Sequence, residues 1–516
     1  MLNNISEPIT SHAINRGQHT AILNPITNEK LNYSELEHEI IKTSLGLREL
    51  GIEKNMLVAI SLKDSIIHVV IQLSLARIGC IHLPMDWRWG DEEKLNLITH
   101  FKPETIIVED ANSAKIIVSH LSLMNKEKVI NVGKLIEASQ IIEDDFKLGK
   151  VDFFSTNQKF IANYSQNQPL LISLSSGTTG TPRGPQINHS HMISRFIAQS
   201  ISLKFSWYDQ FVAATPLYFG GGRTFVLSYL FMGGTIILLP PPWKPETFLK
   251  TLREYKPNVT FLVPTQIRDL LSLETKKLKD CATLTSVISS GSPLHENERK
   301  SVIDNISSGL IEYYASTEGG GISALFAKDM EESPSSVGKP IFRVEVQITD
   351  NKKFVQPPNT IGMVRYRGPA VTSKLFGEKN SKQKGETEDG WFYPGDLGEL
   401  DKNGFLYLRG RSKDVIIRGG INIYPAEIEQ TLLKIESINE AAVLGIKDER
   451  YGEIVAAVIV GKKVLDDENV KKLCSDTLAT YKIPEKFAYV SELPKNSGGK
   501  IIKSELTKLF ITKSWL

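Results

Sequence analysis

Residues 169–184 read PLLISLSSGTTGTPRG, an apolar run (169–174) that passes straight into serine, threonine and glycine (175–184). A short run with a branched residue, ended by turn formers, reads as a buried strand. The stretch behind it has nothing with which to build a core. Open α/β sheets bind ligands outside the carboxyl ends of their strands, which is where this loop would lie. Glycine lets the backbone come close to a ligand and take positive φ. Consecutive N–H groups form an anion-binding nest, and Arg183 adds a cation suited to forked contacts with phosphate. The common P-loop signature is absent. On composition alone, a phosphate cradle and a mobile surface loop both fit.

The surrounding chain repeats the strand-then-break pattern. YSELEHEIIKTSLGLREL (33–50) sets Leu36, Ile40, Ile41, Leu45 and Leu47 on roughly one helical face. MLVAISL (56–62) and ETIIVED (104–110) read as buried parallel strands. The apolar window 66–84 contains His, Gln and Arg, so it reads as a buried helix and a strand, not a membrane span. Further runs, FVAATPL, GTIILLP, VTFLVP and TSVISSG, end in Gly, Pro or Ser. Such alternation predicts an α/β fold whose strand ends converge on one crevice. From about residue 360, frequent glycine and alternating apolar residues predict antiparallel hairpins, with a turn at DKNG (401–404). PAEIEQTLLKI then reads as a helix with Pro425 first and acids in its opening turn. Two strands and a helix from near Asp467 follow, and the domain boundary falls near 409–414.

The 516 residues exceed what one hydrophobic core serves, so at least two domains are expected. A net charge of +2 gives no electrostatic case for nucleic acid or an acidic membrane. Cys80, Cys281 and Cys474 stand far apart, which argues against a disulfide framework or a zinc knuckle and suits a reducing compartment. With no apolar segment near the start, no signal peptide is expected, and the location expected is cytoplasmic.

Further motifs bear on the loop. YYASTE (313–318), GWFYPGDLGELDKNGFLYLRGR (390–411), GRSKDVIIRGGINIYPAEIE (410–429) and PKNSGGKIIK (494–503) follow SSGTTGTPRG in order. In this set the chain resembles the adenylate-forming superfamily of acyl-CoA synthetases, carrier-protein adenylation domains and luciferases. Weaker similarity runs from about Tyr33 to Leu506. The chain departs from the family pattern at Arg183 and Ala315, where Lys and Gly are usual, and at Lys503, where Arg is.

The resemblance implies an α/β fold: a large N-terminal domain of α/β subdomains with a β-barrel-like region (1–410), and a small mobile α+β domain (411–516). It implies a two-step reaction, in which a carboxylate becomes an acyl-adenylate at the expense of ATP and is then passed to a thiol. Ser175, Ser176, Gly177, Thr178, Thr179, Gly180 and Arg183 would hold the β- and γ-phosphates. Thr317 would donate to the α-phosphate and Glu318 would bind Mg2+. Tyr314 would stack on adenine beside Gly291 and Ser292. Asp396 would accept the ribose hydroxyls, with Arg411 alongside. Lys500 would bridge the acid and the α-phosphate region in the transition state. Lys413 matches the hinge. Phe219, Gly220, Ala315 and Gly319 would border the acyl pocket, and Gly419 and Gly420 the thiol tunnel. The neighbouring His189 and His191 read as structural.

Amino-acid-activating members usually carry an acid after the aromatic pocket residue. Here YFGGGRTFVLS has none, so an α-ammonium group would lack its partner. Arg223 in that stretch is free either to pair with a second carboxylate or to reach solvent. The expected activity is acid–thiol ligation of a fatty or aromatic acid, with coenzyme A as acceptor. The alternatives are a stand-alone enzyme loading a carrier-protein phosphopantetheine, and a non-catalytic nucleotide sensor.

Overall fold

The computed structural model describes residues 2–120, 129–147, 160, 165–174, 184–372, 374–376, 389–461, 466–495 and 501–511. Among them the strands form four sheets, of nine, six, four and five strands. The six-stranded sheet is ordered Val129–Asn131, Thr105–Val108, Leu57–Ser61, Ile81–Pro84, Pro169–Ile172, Gln186–Asn188, parallel except for the last strand. Successive residues of Leu57–Ser61 serve opposite cores. Leu57 and Ala59 pack with Leu83, Ile106 and Ile172, while Val58 and Ile60 pack with Ile71, Leu75 and Ile107. Burial on both faces is why this strand reads as a continuous apolar run rather than an alternating one.

The apolar window divides as expected into the helix Ile66–Ile78 and the strand Ile81–Pro84. Ser65 caps the helix by accepting from the His68 N–H, and Gly79 ends it at φ +92°. No helix among the described residues is long and apolar enough to cross a membrane.

The nine-stranded sheet holds the other predicted runs: Gln210–Ala213, Thr235–Leu238, Val259–Leu262 and Ser286–Ser289, all mutually parallel, followed by Leu310–Ser316. The hairpin-rich region is a four-stranded antiparallel sheet, Glu345–Thr349, Gly362–Arg367, Asp396–Leu400 and Leu406–Arg411. After Arg411 the chain enters the five-stranded sheet. Its longest hairpin, Ile438–Asp448 with Gly452–Gly461, packs against the helix Pro425–Leu432, which begins at the expected proline.

All three cysteines are buried and unbridged, and burial pushes the Cys80 and Cys281 thiols up to about 12. A buried ion pair ties the first helices together. Arg77 donates to both carboxylate oxygens of Glu37 at 2.8 Å, with side chains 0% and 3% exposed. Thr10 adds a hydroxyl to the same carboxylate at 2.7 Å. Removing one partner strands a buried charge, so Glu37→Ala should cost about 3–5 kcal/mol. Adding Arg77→Met should recover most of that loss. The check is the first urea transition of both variants; a double variant no better than Glu37→Ala would contradict the pairing.

Candidate functional site

Parallel pairing brings the carboxyl ends of Gln210–Ala213, Val259–Leu262, Ser286–Ser289 and Leu310–Ser316 to one edge of the large sheet. Most of the expected site residues within the described part follow these ends. Gly291 and Ser292 form the turn after Ser286–Ser289, with Gly291 at φ +106° and exposed. Tyr314 and Ala315 straddle a bulge in Leu310–Ser316, which leaves Ala315 exposed. Thr317 and Glu318 sit half-buried in the tight turn that reverses the chain into Gly320–Phe326.

Neighbouring side chains hold that turn. Ser316 Oγ accepts from the Gly319 N–H at 3.0 Å and shares a hydrogen bond with the Tyr366 hydroxyl. The Glu318 carbonyl accepts from the Thr372 N–H at 3.0 Å and from Arg195 at 2.7 Å. Sequence reasoning passed over Arg195 and Tyr366. The available signal was a charge within the apolar helical pattern of His189–Leu203, and only tertiary packing shows that Arg195 turns inward.

Asp396 is the first residue of a strand and only 8% exposed. Its cross-strand partner in the register is Arg411, whose Nε lies 2.9 Å from Oδ1. Arg411 also donates to the Pro394 carbonyl at 2.7 Å. The second carboxylate oxygen accepts the Tyr314 hydroxyl. The Tyr314 ring is half-buried and packs against the core around Ile322, Tyr366 and Phe392. Burial, with the Asp396 charge beside it, holds its phenol well above the usual range. The residues named for adenine and for ribose are therefore directly bonded.

Phe219, half-buried, stands at the N-cap of the helix Gly220–Met232. The preceding turn is fixed from the other sheet. Asp64 accepts the Leu217 N–H at 3.0 Å, and Arg88 donates to the Tyr218 hydroxyl at 2.6 Å. Arg223 does not reach solvent, and among the described residues its hydrogen-bond partners are main-chain carbonyls. It is 3% exposed and donates to the carbonyls of Leu217 and Tyr218 at 3.2 and 3.0 Å. Gly220 faces open space, whereas a Cβ at Gly319 would lie 2.5 Å from the Tyr366 ring. The room expected beside Gly319 is thus already filled by that ring. His189 and His191 are structural, as expected: His189 is buried and accepts the Ile5 N–H, and His191 completes the capping box of its helix with Asn188.

Lys413 lies in the short 3-10 turn Ser412–Asp414 between the last two sheets. Gly419 and Gly420 form the exposed tip of the hairpin Ile416–Ile423, at φ +55° and +84°. Ser175, Ser176, Gly177, Thr178, Thr179, Gly180, Arg183 and Lys500 lie outside the described residues. Among the described residues no group of three or more His, Cys, Asp or Glu could hold a metal. Glu318 itself brings one carboxylate. That suits Mg2+, which is usually held by one or two carboxylates together with substrate phosphates.

Against known proteins, the family model described as AMP-binding enzyme matches residues 9–376, and that of the AMP-binding enzyme C-terminal domain matches 427–500. A 2-succinylbenzoate–CoA ligase from Bacillus cereus is 28% identical over 487 residues, 94% of either chain. The fold matches ATP-bound MatB from Rhodopseudomonas palustris with a TM-score of 0.86, at 23% identity over 99% of each chain. It also matches the o-succinylbenzoate CoA synthetase from Bacillus subtilis in complex with its acyl-adenylate, with a TM-score of 0.81, at 21% identity over 97% of each chain.

Burial pushes the Asp64 carboxyl up to about 7 from an ordinary 3.8. The folded chain then keeps a proton that the unfolded chain releases, so this group's contribution to stability falls as pH rises from about 4 to about 7. Asp64→Asn retains an acceptor for Leu217 and removes the ionisation. Its stability relative to the parent should therefore grow between about pH 5 and about pH 8. Urea midpoints at the two pH values test this; a constant difference would refute it.

Proposed function

Because the chain belongs to the AMP-binding enzyme family, that of the adenylate-forming acyl-CoA synthetases, we propose that it joins a carboxylic acid to a thiol at the expense of ATP. A carboxylate oxygen of the acid attacks the α-phosphate of ATP, forming the acyl-adenylate and expelling pyrophosphate. The thiol sulfur then attacks the acyl carbon, forming the thioester and releasing AMP as the thiol proton is lost. The first step replaces a leaving group as poor as oxide with one as good as AMP.

The observation that carries this reading is the linked set Thr317–Glu318, Tyr314, Asp396 and Arg411 beside Gly291–Ser292 at one sheet edge. In it Asp396 and Arg411 address the ribose, and Tyr314 borders the adenine while its hydroxyl keeps Asp396 in place. Thr317 donates to the α-phosphate, while residues 175–180 and Arg183 hold the outer phosphates. Glu318 holds Mg2+, which supplies neutralisation of phosphate charge when bound. Lys500 steadies the developing charge. The thiol proposed is coenzyme A. The acid is fatty or aromatic, and the relatives named for an aromatic acid favour the second.

We read residues 1–410 and 411–516 as two domains, with Lys413 at the hinge. The change of sheet between Arg411 and Ile416 supports this. A rotation there exchanges Lys500 for the Gly419–Gly420 hairpin beside Phe219, Gly220, Ala315 and Gly319, giving each half-reaction its own partners at one adenylate site. The three buried, unbridged thiols support a cytoplasmic setting.

Pyrophosphate release, with ATP and Mg2+ across fatty, aryl and α-amino acids, tests the reading. An aryl or fatty acid should respond, and coenzyme A should then outcompete carrier-bound phosphopantetheine as acceptor. Nucleotide binding without pyrophosphate from any acid would favour a sensor and overturn the enzyme. Lys500→Ala should slow adenylation by about 10²–10³ and spare thioester formation from supplied acyl-adenylate; equal loss in both halves would refute the rotating lysine. Arg183→Lys should remain active, since either cation serves phosphate, and inactivation would point to a forked contact.

A further inference from the structure

We propose that Arg195 is a positioning residue for the nucleotide–metal end of the site: its buried guanidinium fixes the main chain of Thr317 and Glu318 and so sets where the Glu318 carboxylate points. The proposal rests on the reading of Glu318 given above.

Arg195 lies on the helix His189–Leu203, which starts directly after Gln186–Asn188, the strand into which the Ser/Thr/Gly stretch leads. The Asn188 side chain accepts the His191 N–H at 2.8 Å and so fixes the helix start. From the inward face, Arg195 Nη2 donates to the carbonyls of Glu318 at 2.7 Å, Thr317 at 3.1 Å and, more weakly, Ala370 at 3.5 Å. The circuit closes through Thr372. Its N–H bonds the same Glu318 carbonyl, and its hydroxyl donates to the Gln186 carbonyl. The element behind the phosphate loop is thereby tied to the turn that carries Thr317 and Glu318.

The arginine stem fits the turn closely. Gly320 has φ +71°, and a Cβ there would stand 2.9 Å from Arg195 Cγ. Burying a guanidinium is expensive, and Arg195 is only 6% exposed. Burial brings its pKa down to about 10, so it still carries its charge at neutral pH. An apolar side chain would fill the space at far lower cost. What it would not supply is donors to two carbonyls that stand outside the sheet ladder. Where the Glu318 carboxylate holds the metal, the backbone beneath it sets that carboxylate's aim, and Arg195 fixes that backbone.

The test is calorimetric titration of ATP, with no acid present, with and without Mg2+, on the full chain and on Arg195→Met and Arg195→Lys. In the parent, Mg2+ should tighten ATP binding. Arg195→Met should lose at least about tenfold of that tightening, the scale seen when a support behind a metal ligand is removed. Its affinity for metal-free ATP should fall by less than its affinity for the Mg2+ complex, since without the metal only the Thr317 contact depends on the turn. Adenylation should fall by about 10², as for an ångström of misplacement, while thioester formation from supplied acyl-adenylate persists.

Arg195→Lys keeps the charge on a shorter, more strongly hydrated head that does not reproduce the reach of Nη2, so it should fall between the two. It also serves as the test variant if the methionine form does not fold. A lysine variant equal to the parent would overturn the positioning role. So would equal losses with and without Mg2+ accompanied by a lower melting temperature. A parent that binds no ATP under either condition would instead bring down the nucleotide reading itself.

Discussion

The direction of strand pairing governs the rest. Because Gln210–Ala213, Val259–Leu262, Ser286–Ser289 and Leu310–Ser316 run parallel and in register, every loop leaving a carboxyl end emerges on the same side. Side chains from positions far apart in sequence become neighbours without any one segment being long. An antiparallel arrangement would have sent alternate loops to opposite edges. The sheet supports this geometry because it is buried on both faces. Val212, Ile237, Leu262 and Val287 fill one side, and Phe211, Ile236, Phe261 and Ile288 the other.

The edge is completed by a different kind of structure. Asp396 and Arg411 belong to an antiparallel sheet, where cross-strand register alone puts carboxylate and guanidinium face to face. Tyr314 joins the two systems, its ring in the core and its hydroxyl on Asp396. Rigid elements therefore carry both halves of the candidate site, and the phenol–carboxylate contact joins them together with the Ser316–Tyr366 hydrogen bond. Such preorganisation lowers the cost of ordering these groups around a bound ligand.

Much of this was legible in the chain. The buried helix Ile66–Ile78, the short apolar strands, the DKNG turn and Pro425 at a helix start all follow from local rules of periodicity and turn chemistry. What escaped was set by tertiary contact. Asp396 looks like a turn former between glycine and leucine, yet pairing with Arg411 draws it into a strand. Nothing local distinguishes an arginine that turns inward, such as Arg195 or Arg223, from one on a solvated face. Small residues near the site suggested space, but a glycine marks close approach as readily as emptiness. At Gly319 the approach is a tyrosine ring, and at Gly220 it is open volume.

The run EGGG at 318–321 shows what close approach entails. Each glycine backs onto a different large side chain: Gly319 onto Tyr366, Gly320 onto Arg195 and Gly321 onto the Tyr313 hydroxyl. None of these positions can drift alone. A methyl group added on the turn is tolerable only if its opposing partner shrinks, and a shrunken partner leaves a void unless the turn fills it. Such pairs are bound by strong epistasis, in which either single change is damaging and the two together are mild. The turn is thereby held constant by the bulk behind it as well as by the chemistry in front of it.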